Sequence, residues 1–320
     1  MKFHTEIQIS PFEKKIGYEN RILAMGSCFA EHIAGKLAGA KFRITSNPTG
    51  ILFNPLSIAS AIDSYAERRT LSSEELLMQR GLWFHYDFHG SFADISPEMA
   101  LARMNLGLQT GANALRESDR VLLTFGTAWV YELKETGCVV ANCHKQPAEL
   151  FLRRRLSVAE IAEHFDTLLD GVLRDKQVLF TVSPVRHLGD GLQENSLSKA
   201  TLRLAIEELC QRHGNAAYFP AYEVLMDDLR DYRFYADDLV HPSSQAIEYT
   251  WELFSKALLS DRARQLLPAV TAVTSAARHR PLHPESEEFQ TFCRQQLETI
   301  GRLHEVDFTA EKRLFEQYLE

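Results

Sequence analysis

The sequence lacks the features that would assign it to a membrane, to a nucleic acid or to a disulfide framework. No apolar run reaches the roughly 20 residues that a membrane-spanning helix needs, and residues 1–20 have no apolar core of the kind that a secretory signal requires. Lys and Arg number 35 against 43 Asp and Glu, which gives a net charge of −8 without a basic stripe. The five cysteines are scattered and odd in number, which favours reduced thiols. These absences predict a cytoplasmic protein whose partner is neither a membrane nor a nucleic acid.

The composition is otherwise that of an ordinary globular protein, with 45% apolar and 24% charged residues among 320. The pattern predicts a core domain over residues 1–260 and a C-terminal helical extension over residues 261–320. The extension begins where the periodicity weakens. Pro281 and Pro284 break the chain before one or two charged helices that we predict for residues 285–320.

Short apolar runs alternate with helical patterns along the first domain. The runs typical of strands cover residues 22–25, 41–46, 120–125, 177–182 and 216–219. Such alternation predicts a mainly parallel sheet between two layers of helices, a three-layer α/β/α sandwich with right-handed crossovers. Because ligands bind at the carboxyl ends of parallel strands, the site is expected where these strands end.

Residues at these strand ends could carry chemistry. The candidates are Ser27, Gly50 with Asn54, Gly126 with Thr127, and Ser183 with Arg186 and His187, together with Asp237, Asp238 and His241 from a later loop. Acyl transfer needs a nucleophile, a base, a carboxylate that orients the base, and donors for the oxyanion. Ser27, His241 and Asp238 could fill the first three roles. The alternative is that Ser27 caps the helix that follows it and that His241 only closes its loop.

Several motifs in a fixed order resemble one family. GSCFA stands at residues 26–30, and NPTGILFNP, TFGTAWVYE, NCHK, TVSPVRH and DDLVHP follow it. On these motifs, residues 20–255 resemble the GSCFA-domain family. That family in turn resembles the SGNH (GDSL-like) hydrolases, which are esterases and acyltransferases with a flavodoxin-like sheet.

The resemblance implies a catalytic triad. The first SGNH motif carries the nucleophile, which matches Ser27, and the last reads Asp-x-x-His, which matches Asp238 and His241. Asp237 is the alternative acid, and the three-residue spacing favours Asp238.

The resemblance also implies an oxyanion site. The expected donors are the backbone N–H groups of Ser27 and Gly50. The third SGNH motif usually supplies an asparagine, whereas this chain has Ala128 at that position. The expected substitutes are Asn54 or the backbone at Gly126 and Thr127.

Further residues are expected to contact the substrate, namely Thr127, Asn142, His144, Ser183, Arg186 and His187. An aromatic segment at residues 83–92 is expected to be packing material, with a carbohydrate platform as the alternative.

The cysteines offer two other kinds of chemistry. Cys28 follows Ser27 and could be a thiol nucleophile at a helix start, but a small buried apolar role is favoured. Cys138, Cys143 and His144 supply three potential zinc ligands at awkward spacing without an obvious fourth. No metal and no cofactor are therefore predicted.

We expect from the sequence an O-acyl (acetyl) esterase that acts on an ester of a small molecule or a carbohydrate. The alternatives are an O-acyltransferase and a non-catalytic protein that binds a glycan or an acylated ligand in the same cleft. The sequence sets no oligomeric state.

Overall fold

The computed structural model describes residues 5–320, and a parallel five-stranded sheet forms its centre. In chain order the strands of the described residues are β1 (Arg21–Gly26), β2 (Arg43–Ser46), β3 (Leu77–Gln79), β4 (Leu82–Phe84), β5 (Arg120–Phe125), β6 (Trp129–Leu133), β7 (Val139–Val140), β8 (Phe151–Arg155), β9 (Gln177–Val182) and β10 (Ala216–Tyr218). The central sheet has the order β10-β9-β5-β1-β2, and every pairing in it is parallel.

This strand order places a topological switch point at the centre of the sheet. From β1 the chain moves to β2 on one side and then returns to β5 on the other, as in flavodoxin-like sheets. The apolar runs in β1, β5 and β9 are buried from the second residue onward, as expected of strands covered on both faces. The predicted mainly parallel sheet is confirmed.

Helices cover both faces of the sheet. They are α1 (Cys28–Gly39), α2 (Pro55–Ala66), α3 (Pro97–Glu117), α4 (Val158–Asp170), α5 (Gly191–Arg212), α6 (Ala221–Glu223), α7 (Ser244–Leu258), α8 (Asp261–Arg278), α9 (Glu287–Arg302) and α10 (Thr309–Gln317), and α6 continues as a π-helical turn, Val224–Leu229. One apolar cluster joins α2, α3, α4 and α5 to one face of the sheet. Another joins α1, α7 and α8 to the opposite face, which completes the three layers.

The helices after residue 260 pack on the α1 side of the sheet. Cys293 of α9 and Phe315 of α10 are fully buried in the same apolar cluster as α1, and Lys41 forms an ion pair of 2.9 Å with Glu311. The predicted charged helices are α9 and α10. Helix α8 was not predicted, because Pro268 lies inside it and interrupts the helical signal. The division into domains at residue 260 stays a prediction.

A small antiparallel sheet follows β5 and stands beside the carboxyl edge of the main sheet. Its strand order is β7-β6-β8, and Tyr131 of β6 lies opposite Val140 of β7 and Arg153 of β8. Strands β6 and β7 form an antiparallel hairpin, and β8 was not among the predicted strands. In the described part of the chain, no helix is long and apolar enough to cross a membrane.

Candidate active site

The carboxyl edge of the central sheet opens into a cleft of about 790 Å³. Its lining includes most of the predicted site residues, namely Ser27, Asn54, Thr127, Asn142, Ser183, Arg186, His187 and His241. Gly50, Gly126, His144 and Asp238 are not part of this lining. The ends of β1, β5 and β9 converge on one edge of the sheet, as predicted.

Ser27 stands at the junction of β1 and α1 because Gly26 permits a close approach of two strands. Gly26 has φ of +135°, and a Cβ atom there would lie 2.1 Å from the carbonyl oxygen of Thr124 in β5. The turn therefore requires glycine. It brings the serine directly to the switch point between β1 and β5.

The hydroxyl of Ser27 has no structural task in this position. Although Ser27 is the N-cap residue of α1, its side chain does not cap the helix. The residue is 2% exposed, and its Oγ has no hydrogen-bond partner within residues 5–320. A buried hydroxyl without a partner costs about 1–3 kcal/mol, which makes a functional use the better explanation. The interpretation that the Ser27 side chain caps α1 is therefore wrong.

The loop of residues 235–242, which we call the histidine loop, holds a carboxylate against an imidazole. Asp238 Oδ2 lies 2.6 Å from His241 Nδ1, and Asp238 Oδ1 accepts the backbone N–H groups of Val240 and His241 at 2.9 Å each. These contacts, led by the backbone N–H of His241, lower the pKa of Asp238 to about 2. A carboxylate on Nδ1 leaves Nε2 of the ring for other chemistry.

Asp237, the alternative acid, makes no hydrogen bond with the described residues. Among the two candidates, the geometry therefore favours Asp238. His241 and Ser27 line the same cleft, and no hydrogen bond joins them.

The predicted oxyanion donors need correction, because their N–H groups are used inside the fold. The Gly50 N–H closes a tight turn on the carbonyl oxygen of Asn47 at 2.8 Å, and Gly50 packs against His89 outside the cleft. The Gly126 N–H donates to the carbonyl oxygen of Phe53 at 2.8 Å. The expectation for Gly50 is wrong. Gly126 leaves room for its neighbours, because a Cβ atom there would lie 2.9 Å from the Phe53 carbonyl oxygen and 3.3 Å from the Ser27 Cβ.

Other donors are available around Ser27. The Ser27 N–H, also a predicted donor, is not among them, because it donates to the Thr124 carbonyl oxygen at 3.2 Å. The N–H groups of Cys28 and Phe29 at the start of α1 have no backbone acceptor in residues 5–320. Asn54 lines the cleft and caps α2 by accepting the Ser57 N–H at 2.8 Å. Its Nδ2 donates one hydrogen to Ser57 Oγ and retains a second.

Burial decides the state of the thiol next to the candidate nucleophile. Cys28 lines the cleft, and burial raises the pKa of its thiol. The protonated thiol is a poor nucleophile, so the structure favours the serine.

In the described residues, no group of three or more His, Cys, Asp or Glu side chains is arranged to hold a metal ion.

The strand-end residues after β5 and β9 mostly support the backbone. Thr127 Oγ1 accepts the Trp129 N–H at 3.1 Å, and Ser183 Oγ accepts the Val185 N–H at 3.3 Å. His187 differs from them, because its Nε2 is buried without a hydrogen-bond partner in the described chain. Burial, and secondarily the charge of Lys199, lower the pKa of His187 to about 4.

Lys199 is a residue of the site that the sequence reasoning missed. It lies on α5, is 1% exposed, and its Nζ donates to the carbonyl oxygens of Gly126 and Ser183 at 2.6 Å each. It thereby links the ends of β5 and β9 directly beneath the cleft. Burial lowers the pKa of this lysine to about 7. A single lysine in an amphipathic helix gives no signal that it points inward.

The small antiparallel sheet forms one wall of the cleft, and the end of the main sheet forms its base. Trp129, Tyr131, Phe151 and Arg153 line the cleft from this wall. The Arg153 guanidinium lies over the Trp129 ring at 4.3 Å and forms an ion pair with Asp190.

The segment around His144 packs behind that wall. His144 Nε2 contacts the carbonyl oxygens of His85 and Phe88 at 3.0 and 3.1 Å, and its ring stacks on Phe84. The expectation that His144 binds substrate is therefore wrong. Asn142 does line the cleft, and it uses Oδ1 to accept the His144 N–H. Phe84 and Phe88 are buried, so the aromatic segment is packing material, as predicted.

Comparison with known proteins assigns the chain to a family. The sequence profile of the GSCFA family matches residues 21–254. The chain belongs to the GSCFA family. A second profile, that of the C-terminal domain of GSCFA domain proteins, matches residues 270–320. All residues of the cleft lie within the first range of this GSCFA protein.

Comparison with solved structures adds little about this GSCFA protein. A structure from Streptococcus pneumonia, provisionally named as a platelet activating factor, is 13% identical, covers 74% of this chain and 84% of its own, and gives a TM-score of 0.37. A similarity at that TM-score carries no argument about function. No curated protein matches the chain.

Proposed function

We propose that this GSCFA protein is a serine hydrolase similar to the SGNH hydrolases, and that it acts as an O-acyl esterase on a small-molecule or carbohydrate ester. One observation carries the proposal. The unpartnered Ser27 hydroxyl at the start of α1 shares a cleft with an imidazole that a carboxylate orients. We also propose a cytoplasmic location and chemistry that needs neither metal nor cofactor.

In the proposed reaction, Ser27 Oγ attacks the ester carbonyl and His241 Nε2 accepts the hydroxyl proton. Asp238 holds the imidazole in the required tautomer and stabilises its charged form. The imidazolium then protonates the leaving alcohol. Water, activated in turn by His241, releases the acyl group and restores the serine. An alcohol in place of that water would give the O-acyltransferase reaction.

The oxyanion needs donors that the fold has not already used. The first-turn N–H groups of α1, at Cys28 and Phe29, have no backbone acceptor among residues 5–320, and they lie at the positive end of the helix dipole. The second Nδ2 hydrogen of Asn54 is the side-chain candidate. We assign the oxyanion site to these groups in place of the N–H groups of Ser27, Gly50 and Gly126.

Two observations favour a second candidate function, a non-catalytic protein that binds a glycan or an acylated ligand. The N–H groups of Gly50 and Gly126 are hydrogen-bonded within the fold, and no hydrogen bond joins Ser27 to His241. Catalysis requires His241 to come within hydrogen-bond distance of Ser27 when substrate enters the cleft.

Turnover of a panel of short acyl esters by matched variants tests the proposal. Ser27→Ala and His241→Ala should each lower kcat by several orders of magnitude, and the double variant should be little worse than either, because triad members act as a unit. Cys28→Ala is the control beside the nucleophile and should have a mild effect. Asp238→Asn should lower kcat by up to about 10⁴-fold, and the neighbouring Asp237→Asn by much less.

The same panel separates the candidates. Loss of activity in Cys28→Ala with retention in Ser27→Ala would move the nucleophile to the thiol. A folded wild-type protein that binds acylated ligands and turns over none of the esters would favour the binding protein.

A further inference from the structure

Arg186 presents a fixed guanidinium at the edge of the cleft. Its Cζ lies 5.1 Å from the ring centre of Tyr232 and 4.3 Å from that of Tyr235, and its Nη1 donates to Tyr232 Oη at 3.3 Å. Its backbone N–H donates to the carbonyl oxygen of Val240, next to His241, at 3.3 Å. The stacking holds the guanidinium plane and leaves edge donors available, which is the arrangement that suits recognition of planar or tetrahedral anions.

This guanidinium has no carboxylate partner in residues 5–320. The other arginine of the cleft lining, Arg153, forms an ion pair with Asp190, which is the lone carboxylate among the lining residues that the structure describes. Asp238 of the histidine loop is bonded to His241. The cleft therefore has an uncompensated positive charge in a protein whose net charge is −8.

Two further polar atoms belong to side chains that line the cleft. His187 Nε2 and Trp129 Nε1 are buried, and neither has a hydrogen-bond partner among the described residues. The indole N–H can only donate. Buried polar atoms without a partner are unusual in native proteins, and oxygen acceptors on a bound ligand would satisfy the indole N–H.

We infer that the substrate carries a carboxylate or phosphate group in addition to its acyl ester, and that Arg186 binds this anion while the ester lies at Ser27. The position of the ester rests on the proposed function, but the anion site does not. Carboxylate and phosphate share the chemistry that Arg186 recognises, bidentate oxygen acceptors with negative charge.

Three aryl acetates that differ in one substituent test the inference on the full-length protein. They are 4-acetoxybenzoate, 4-acetoxyphenyl phosphate and the neutral isostere 4-acetoxybenzamide. Binding to Ser27→Ala is measured by calorimetry, which requires no turnover, and kcat/KM is measured on the wild type. We expect at least one anionic ester to bind about 10- to 100-fold more tightly than the amide, the usual value of a charge-assisted hydrogen-bond pair.

Arg186 variants locate the effect. Arg186→Met should remove most of the preference for the anion and change binding of the amide little, and Arg186→Lys should restore part of it. Arg233→Met is the matched control, because Arg233 lies in the neighbouring segment, stacks on Phe234 and is absent from the cleft lining. If Arg186→Met does not fold, loss of the wild-type preference with rising salt provides the second readout.

Equal binding of the three esters would overturn the inference, as would an Arg186→Met variant that weakens all three equally, since Arg186 would then only support the histidine loop. Absence of turnover with all three esters, together with preserved preference for the anions in binding, would refute the esterase proposal and leave the anion site intact.

Discussion

Lys199→Met should change how the stability of this protein depends on pH. Methionine keeps the length and the apolar part of the side chain, and it removes both the charge and the two hydrogen bonds to Gly126 and Ser183. The variant therefore isolates what a buried lysine does beneath the cleft. Lys256→Met, at an exposed position on α7, is the matched control.

The sign and size of the effect follow from the pKa of Lys199. Burial lowers it to about 7 in the folded protein, against about 10.4 in an unfolded chain. Between these values the unfolded state holds a proton that the folded state lacks, so stability rises with pH. From pH 7 to pH 9, this group alone should add about 2 kcal/mol to the free energy of unfolding, at about 1.4 kcal/mol per pH unit once the folded form is neutral.

Urea unfolding at pH 7, 8 and 9 measures the effect. The difference in unfolding free energy between wild type and Lys199→Met should shift in favour of the wild type by about 2 kcal/mol across this range. Subtraction of the variant removes the contributions of the thiols and other groups that titrate there. A difference that stays constant with pH would show that Lys199 keeps its proton in the folded state and would refute this reasoning.

Three further predictions test the site and its frame. Gly26→Ala should destabilise the fold by several kcal/mol, since its Cβ would meet the Thr124 carbonyl at 2.1 Å, whereas Gly137→Ala, with positive φ but open space, should cost only about 1 kcal/mol by urea unfolding. His144→Ala should lower the free energy of unfolding by about 1–3 kcal/mol and leave ester kcat/KM unchanged, and a selective loss of substrate affinity would restore His144 to the site. Ester hydrolysis should be slow at low pH and should rise with pH, because a protonated imidazole cannot act as base, and a rate that does not change with pH would count against His241.

The sequence was sufficient to predict the sheet and the edge of the sheet that carries the cleft. Strands such as β5 and β9 are continuous apolar runs, because helices cover both of their faces. Parallel pairing then leaves their ends on one edge, so the convergence of Ser27 and Ser183 followed without side-chain information. The three-residue spacing of Asp238 and His241 was enough to favour one of two adjacent acids.

The remainder depended on contacts that no local pattern encodes. Turn-forming residues precede Gly50 in the sequence. Only the structure shows that the Gly50 N–H closes this turn by donating to the Asn47 carbonyl oxygen. Strand β8 was missed because its three arginines read as a charged, solvent-facing segment. In the structure Arg153 stacks on the Trp129 ring in the cleft wall. Lys199 can be buried because its Nζ donates to two carbonyl groups at the ends of separate strands. These groups belong to Gly126 and Ser183, which are 73 and 16 positions away along the chain.

Labelling with a fluorophosphonate tests the central claim most directly, because the probe reacts with an activated serine and needs no knowledge of the substrate. The account predicts one covalent adduct on the full-length protein, located by mass spectrometry on Ser27, abolished in Ser27→Ala, strongly slowed in His241→Ala and retained in Cys28→Ala. An adduct at another residue, or a folded wild-type protein that the probe leaves unlabelled at the pH where histidine is neutral, would contradict it.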